Sequence, residues 1–340
     1  MKILCIGEIL MRLSTRENER FAQAKSFDIN YGGSEANVAI ALAQLGFHAA
    51  VLTRLPQNPI GDTINGMLKQ FSVDTTEVLR GGDKIGTYFL EEGTDIRSSQ
   101  IIYDRANSAI SDIDPDMLDW NTTLKGVNVL HWSGISPGIS LNMLEVCQRA
   151  IQEAKARNIF ISADLHYRIN LWNFGQQAHE VMPAMIAQSD LIVGDPFTLE
   201  KLTGMDLGIG ETPQLSTKTI GEAFEKFSEH FTKIKHMAML SREIVSSSHN
   251  VLQGVLLSGQ DLKIASQIEV RHIRDRIGGG DAFMAGLLFA HFSKRNAEQS
   301  INFATAASAL KHTIKGDYLL SSEEEIDTLL NSKIKGAIKR

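Results

Sequence analysis

Three adjacent glycines followed by an acid, Gly278-Gly279-Gly280-Asp281, lead into Ala282-Phe283-Met284-Ala285-Gly286-Leu287-Leu288-Phe289-Ala290, a segment that is apolar on every side. Such a segment reads as a buried helix. Its first turn carries unpaired backbone N–H groups and the positive end of the helix dipole. Glycines there let the backbone approach a ligand closely and place those N–H groups around an anion. Asp281 would then stand beside a site built for developing negative charge, which suits a general base that takes a hydroxyl proton as a phosphoryl group arrives. Asp is also a favoured helix N-cap, and glycine loops precede helices for conformational reasons alone. Capping accounts for the acid but not for three consecutive glycines, whose ordering entropy is a real cost.

The elements that would position this site alternate along the chain. Short apolar runs at 3–6, 50–55, 127–132, 159–163, 191–193 and 237–240 read as buried strands. Helical patterns at 34–45, 62–71, 141–156, 176–187 and 220–231 lie between them, with Ser34 placed to cap the first and Gly46 to end it. Further helices are expected at 297–311 and 323–338. This spacing predicts a doubly wound, mostly parallel sheet flanked by helices. Residues 27–31 and 85–103 break the alternation and read as strands of a small β lid, the latter a hairpin around Gly93-Thr94-Asp95. The Gly-, Pro-, Ser- and Thr-rich stretch 205–219 reads as a surface loop.

Composition narrows the partners. A hydrophobic content of 43% and a charged content of 22% describe an ordinary globular chain, and a net charge of −6 argues against a nucleic-acid surface. Cys5 and Cys147 have no metal-ligand spacing, so neither a disulfide nor a zinc site is expected. No apolar stretch reaches membrane-spanning length, and Glu8 interrupts the opening apolar run, so the expected compartment is the cytoplasm. The chain lacks a Gly-x4-Gly-Lys-Ser/Thr loop, a Gly-x-Gly-x2-Gly after the first strand and a His-Glu-x2-His. P-loop ATPases, Rossmann dehydrogenases and zinc proteases are each disfavoured.

Tyr31-Gly32-Gly33-Ser34-Glu35-Ala36-Asn37-Val38-Ala39 opening a helix, together with the late Asp275-x2-Gly-Gly-Gly-Asp281, resembles the ribokinase-like (PfkB) carbohydrate kinases. The pattern of their 2-keto-3-deoxygluconate kinase subgroup is also followed by Gly7-Glu8-Ile9-Leu10-Met11-Arg12-Leu13-Ser14, Pro59-Ile60-Gly61-Asp62, Tyr103-Asp104-Arg105-Ala106-Asn107-Ser108-Ala109 and Lys311-His312-Thr313-Ile314-Lys315-Gly316-Asp317. The resemblance implies one ribokinase-like domain over 1–340, with lid strands from about 9–31 and 85–105.

It also implies Asp281 as catalytic base and the amides of Gly278, Gly279 and Gly280 as the anion hole. Gly33, Ser34 and Asn37 would line a sugar-acid pocket. Tyr88, Tyr103 and Arg105 would descend from the lid, and Asp317 would close the pocket. Arg168 would contact a phosphate or carboxylate. The nucleotide would meet His166, Arg168, Asp195, Ser241, Gly278, Gly280 and Thr305, with ATP as phosphoryl donor, Mg2+ as cofactor and Asp195 as a metal contact. A guanidinium suits an acid because it can hold a carboxylate bidentately.

Three places depart from the family pattern: His166 stands where Asn is usual, Asp195-Pro196-Phe197-Thr198 replaces Asn-x2-Glu, and Ser241-Arg242-Glu243-Ile244 replaces a glycine-containing loop. The residues leave two alternatives open. One is a kinase for a neutral ketose, and the other a sugar-acid-binding protein without efficient phosphoryl transfer. Exposed lid edges make a homodimer the expected assembly.

Overall fold

Side chains alternate strictly across the first strand: Ile3 and Cys5 enter one apolar core, while Leu4 and Ile6 enter another. A strand with this pattern must be covered on both faces. The computed structural model describes residues 1–210 and 215–331. Chain order begins with β1 (Lys2–Ile6), β2 (Leu10–Ser14), β3 (Asp28–Gly32), α1 (Ser34–Gln44), β4 (His48–Leu55), α2 (Pro59–Gln70) and β5 (Val78–Arg80). It continues through β6 (Gly86–Glu91), β7 (Gln100–Asp104), α3 (Trp120–Thr123), β8 (Val129–Ser133), α4 (Leu141–Ala156), β9 (Phe160–Asp164), α5 (Ala178–Ile186), β10 (Leu191–Val193) and α6 (Pro196–Thr203). The rest comprises α7 (Thr217–His230), β11 (His236–Ser246), β12 (His249–Ser258), β13 (Asp261–Ile264), β14 (Ile268–Val270), α8 (Gly279–Phe292), α9 (Ala297–His312) and α10 (Glu323–Asn331).

The main sheet runs β13-β12-β11-β10-β9-β8-β1-β4-β5, with β14 also paired to β12. Strands β11 to β5 along this order are parallel, and β12, β13 and β14 add antiparallel pairings at one edge. Residues of α1, α2, α8 and α9 bury one face, and those of α4, α5, α6 and α7 bury the other. This is the doubly wound plan expected from the alternation. A separate four-stranded sheet, ordered β3-β2-β6-β7, forms the lid.

Several local expectations need correction. Ser34 does not cap α1: Gly33 is the N-cap, in extended backbone, and the Ser34 hydroxyl is used elsewhere. Asp281 does not cap α8 either. Gly278 does, at φ +80, and Asp281 lies inside the first turn. Strand β11 runs on to Ser246, past the expected end at 240, because its outer half pairs with β12 while being largely exposed and carrying no continuous apolar run. The expected loop 205–219 gives way to α7 at Thr217, where the Ser216 hydroxyl accepts from the Thr219 N–H. Residues 211–214 of that loop, and 332–338 of the last expected helix, lie outside the described residues. Cys5 and Cys147 are buried free thiols. Among the described residues no helix is long and apolar enough to cross a membrane.

Candidate active site

Parallel strands bring their carboxyl ends to one side of the sheet, and ligands bind there where the strand order reverses. In this chain the reversal falls between β1 and β8. The register of β8 and β9 sets Ser133 level with Asp164, and Glu8 follows just after the end of β1. The lid reaches over the same side, closing a cavity of about 290 Å³.

Asp281 is buried at the bottom of this cavity. Its Oδ1 accepts from the Ser34 hydroxyl and its Oδ2 from the Asn37 amide, both at 2.7 Å. Burial raises its pKa, while those two hydrogen bonds pull it back down. The carboxylate is thus fixed in orientation at the N-terminus of α8, beside the amides of the glycine loop. Gly278 is sterically required: a Cβ there would stand 1.9 Å from the Asp317 carbonyl oxygen, at a φ that side chains rarely adopt. The loop is braced from below, where the Ser308 hydroxyl donates to the Gly279 carbonyl at 2.8 Å and the His312 ring packs beneath Gly279. Gly279 therefore faces inward, while Gly278 and Gly280 line the cavity.

Two further acids stand close by. Glu35 is almost fully buried and accepts from the hydroxyls of Ser133 at 2.7 Å and Ser136 at 2.6 Å; burial raises its pKa. Asp164 is equally buried, and burial together with the nearby Asp281 charge pushes its carboxyl well up. Its Oδ2 has no hydrogen-bond partner. The His166 Nε2 lies 3.3 Å from Asp164 Oδ1, and burial with the Arg168 and Arg242 charges lowers the His166 pKa to about 3, leaving the ring neutral. Ligand atoms of Asp164, His166 and Asp281 come within 4.8 Å of one another. An orphaned buried carboxylate oxygen beside a second carboxylate fits a hard divalent cation, which favours oxygen ligands.

The lid contributes Tyr88 and Tyr103, whose ring centroids are 5.6 Å apart. Arg105 stands over the Tyr103 ring at 5.7 Å and pairs with Glu8, which also accepts from the Ser108 hydroxyl at 2.7 Å. Below them Arg12 of β2 is fully buried, its Nη2 2.7 Å from Asp275 Oδ2 and 3.2 Å from Asp317 Oδ1. Burial alone would lower the Arg12 pKa, but the Asp317 and Asp275 charges more than offset that and raise it. Burial pushes Asp317 up to about 6, with Arg12 opposing the shift.

Gly33, Ser34, Asn37, Tyr88, Tyr103 and Arg105 therefore meet Arg168, His166, Gly278, Gly280, Asp281 and Asp317 around one cavity. Three expected contacts are not brought there. Asp195 caps α6, its carboxylate accepting from both the N–H and the hydroxyl of Thr198. Thr305 is buried in α9 and donates to the Ile301 carbonyl at 2.7 Å, where it packs against Gly254. Ser241 lies on β11 outside the lining, which its neighbour Arg242 enters. Sequence reasoning missed Glu8, Glu35, Arg242 and Arg276. The first two carried a usable signal, an acid at the end of a buried strand and another at the start of a buried helix.

A fixed carboxylate at a helix N-terminus, facing several arginines under a β lid, is equipped to deprotonate a hydroxyl and hold an anion. The family model for pfkB family carbohydrate kinases matches residues 1–325. A 2-dehydro-3-deoxygalactonokinase from Haloferax volcanii is 26% identical, over 97% of this chain and 96% of the relative. A 2-dehydro-3-deoxygluconokinase from Thermoproteus tenax is 24% identical, over 98% and 95%. The crystal structure of 2-dehydro-3-deoxygluconokinase from Thermotoga maritima superposes with a TM-score of 0.91 at 35% identity, covering 98% of this chain and 100% of that one. The chain belongs to the PfkB family of carbohydrate kinases.

Proposed function

We propose that this kinase transfers a phosphoryl group from ATP to the terminal hydroxyl of 2-keto-3-deoxygluconate, giving 2-keto-3-deoxy-6-phosphogluconate and ADP. The observation that carries the reading is Asp281, held by Ser34 and Asn37 beside the amides of the glycine loop. The hydroxyl proton passes to this carboxylate as the oxygen attacks phosphorus, and the helix N-terminus stabilises charge on the phosphoryl oxygens. Asp164, with His166 and Asp281 close by, would hold Mg2+, which supplies positive charge to the nucleotide phosphates when bound. The lid excludes water, which limits hydrolysis of ATP.

An acid substrate is supported by Arg105 and Arg168 in the lining and by the names of the relatives. The pairing of Arg105 with Glu8 fixes the guanidinium over Tyr103. Arg105→Ala is expected to raise the KM for the sugar acid roughly tenfold to a hundredfold, because a charge-assisted contact contributes about 1.5–3 kcal/mol. A neutral ketose should be affected little. Equal losses for both substrates would make Arg105 a support for the lid and remove it as reader of the carboxylate. Phosphorus NMR of the product, showing coupling to methylene protons, checks the terminal position.

The outer lid strand β7 is exposed along its whole length, with Ile101 and Ile102 on it. An open edge of this kind supports pairing with a second copy. Sedimentation is expected to give a dimer, and Ile102→Lys to shift it toward monomer.

A further inference from the structure

Three arginines, Arg168, Arg242 and Arg276, line the same side of the cavity. Among the described residues none of them forms an ion pair. Arg276 is nevertheless occupied, since it donates to the Ser246 carbonyl at 2.6 Å and to the Asn250 side chain at 2.8 Å. Arg168 donates to the adjacent Tyr167 carbonyl at 3.2 Å. The Arg242 guanidinium makes no hydrogen bond to any described residue, its main chain being paired within the β11–β12 ladder. It projects from β11, at the position where the family resemblance would place a glycine-containing loop, and its Nη2 is 4.0 Å from where a Cβ on Gly280 would stand. An uncommitted guanidinium beside the N-terminal amides of α8 and the Asp281 carboxylate is placed for an anion that has yet to arrive.

We propose that Arg242 is a catalytic residue for phosphoryl transfer, binding the equatorial oxygens of the group in flight. The inference rests on the kinase reading of this site. In the step, the acceptor oxygen bonds to phosphorus, the bridging P–O bond breaks with its electron pair leaving on ADP, and the hydroxyl proton passes to Asp281. The base marks where the acceptor oxygen stands, and the Gly280 amide marks the anion hole. The phosphoryl group must pass between them, within reach of Arg242. An arginine there stabilises the spread charge of a loose transition state more than the ground state, which is how it raises turnover.

Arg242→Ala and Arg242→Lys are compared with the parent in turnover and by calorimetric titration of ADP alone and of ADP with fluoroaluminate. Turnover is expected to fall on the order of a thousandfold or more in Arg242→Ala, the lower side of what a transition-state arginine contributes. KM for the sugar acid and affinity for ADP should stay within about threefold, because these report ground-state binding. The tighter binding of the fluoroaluminate complex over ADP should largely disappear. Arg242→Lys should recover little of it, since an ammonium lacks the planar fork. Loss of ADP affinity matching the loss with fluoroaluminate would overturn the proposal and make Arg242 an ordinary nucleotide contact. Turnover within threefold of the parent would overturn it as well. A parent that turned over no sugar would contradict the kinase reading instead, and the fluoroaluminate titration would still decide Arg242. Thermal unfolding of each variant, expected unchanged for a solvent-accessible side chain without partners, excludes misfolding as the cause.

Discussion

Asp281→Asn is expected to lower turnover at least about a hundredfold while sugar-acid binding survives within a few-fold, because the amide keeps the shape but cannot accept the proton. Ser34 and Asn37 would still meet a polar group at nearly the same place, so the cavity should keep its form. The parent's pH profile gives an independent check. Burial raises the Asp281 pKa, and a general base works only when deprotonated. The rate should therefore fall as pH drops through that raised pKa, placing the acid limb above the ordinary aspartate range. Rapid-mix assays of the parent and variant across pH decide both points. Near-normal turnover in Asp281→Asn would dismiss the base assignment.

The largest effect on stability is expected at Arg12. This guanidinium connects lid strand β2 to Asp275, which precedes the glycine loop, and to Asp317, which follows it in space. The Asp275 carboxylate also accepts from the backbone N–H of Ile277 at 3.0 Å and of Gly316 at 3.1 Å, so the buried cluster fixes both flanks of the loop. Lys311 adds to it, donating to the Asp275 and Ile314 carbonyls at 3.2 Å. Arg12→Ala leaves two buried acids without their cation and is expected to cost about 3–5 kcal/mol, read by chemical denaturation. Arg12→Met combined with Asp275→Asn and Asp317→Asn removes the charges together and should lose less. A single variant as stable as the parent would show that the cluster contributes nothing to the lid's attachment.

The alternation of apolar runs and helical patterns was enough to read the central parallel strands, and α4 was legible to its ends because its apolar positions recur along one face between a serine cap and a basic last turn. The outer half of β11 was not legible. A strand pairing at a half-exposed edge has neither continuous apolarity nor clean alternation. The same reason hid Arg242, which sits on that half. Motif residues at the glycine loop, α1 and the lid were readable because each motif is contiguous in sequence. Glu8 and Asp164 are brought to one end of the sheet by the register of β1, β8 and β9, and Glu35 reaches from α1 to the Ser133 and Ser136 hydroxyls there, a convergence that no local pattern encodes. Asp195 caps its helix, and Ser34, expected to cap α1, does not, for a related reason. A short polar side chain at a helix start either caps that helix or leaves its own helix to serve another group, and which one depends on what the fold brings opposite it.

The most direct test of the account is a coupled ADP-release assay of the parent with ATP and Mg2+, run across 2-keto-3-deoxy sugar acids of both gluco and galacto configuration and a set of neutral ketoses. The account predicts the highest kcat/KM for 2-keto-3-deoxygluconate, well above every neutral sugar. A neutral ketose turned over as efficiently as the acids would contradict it.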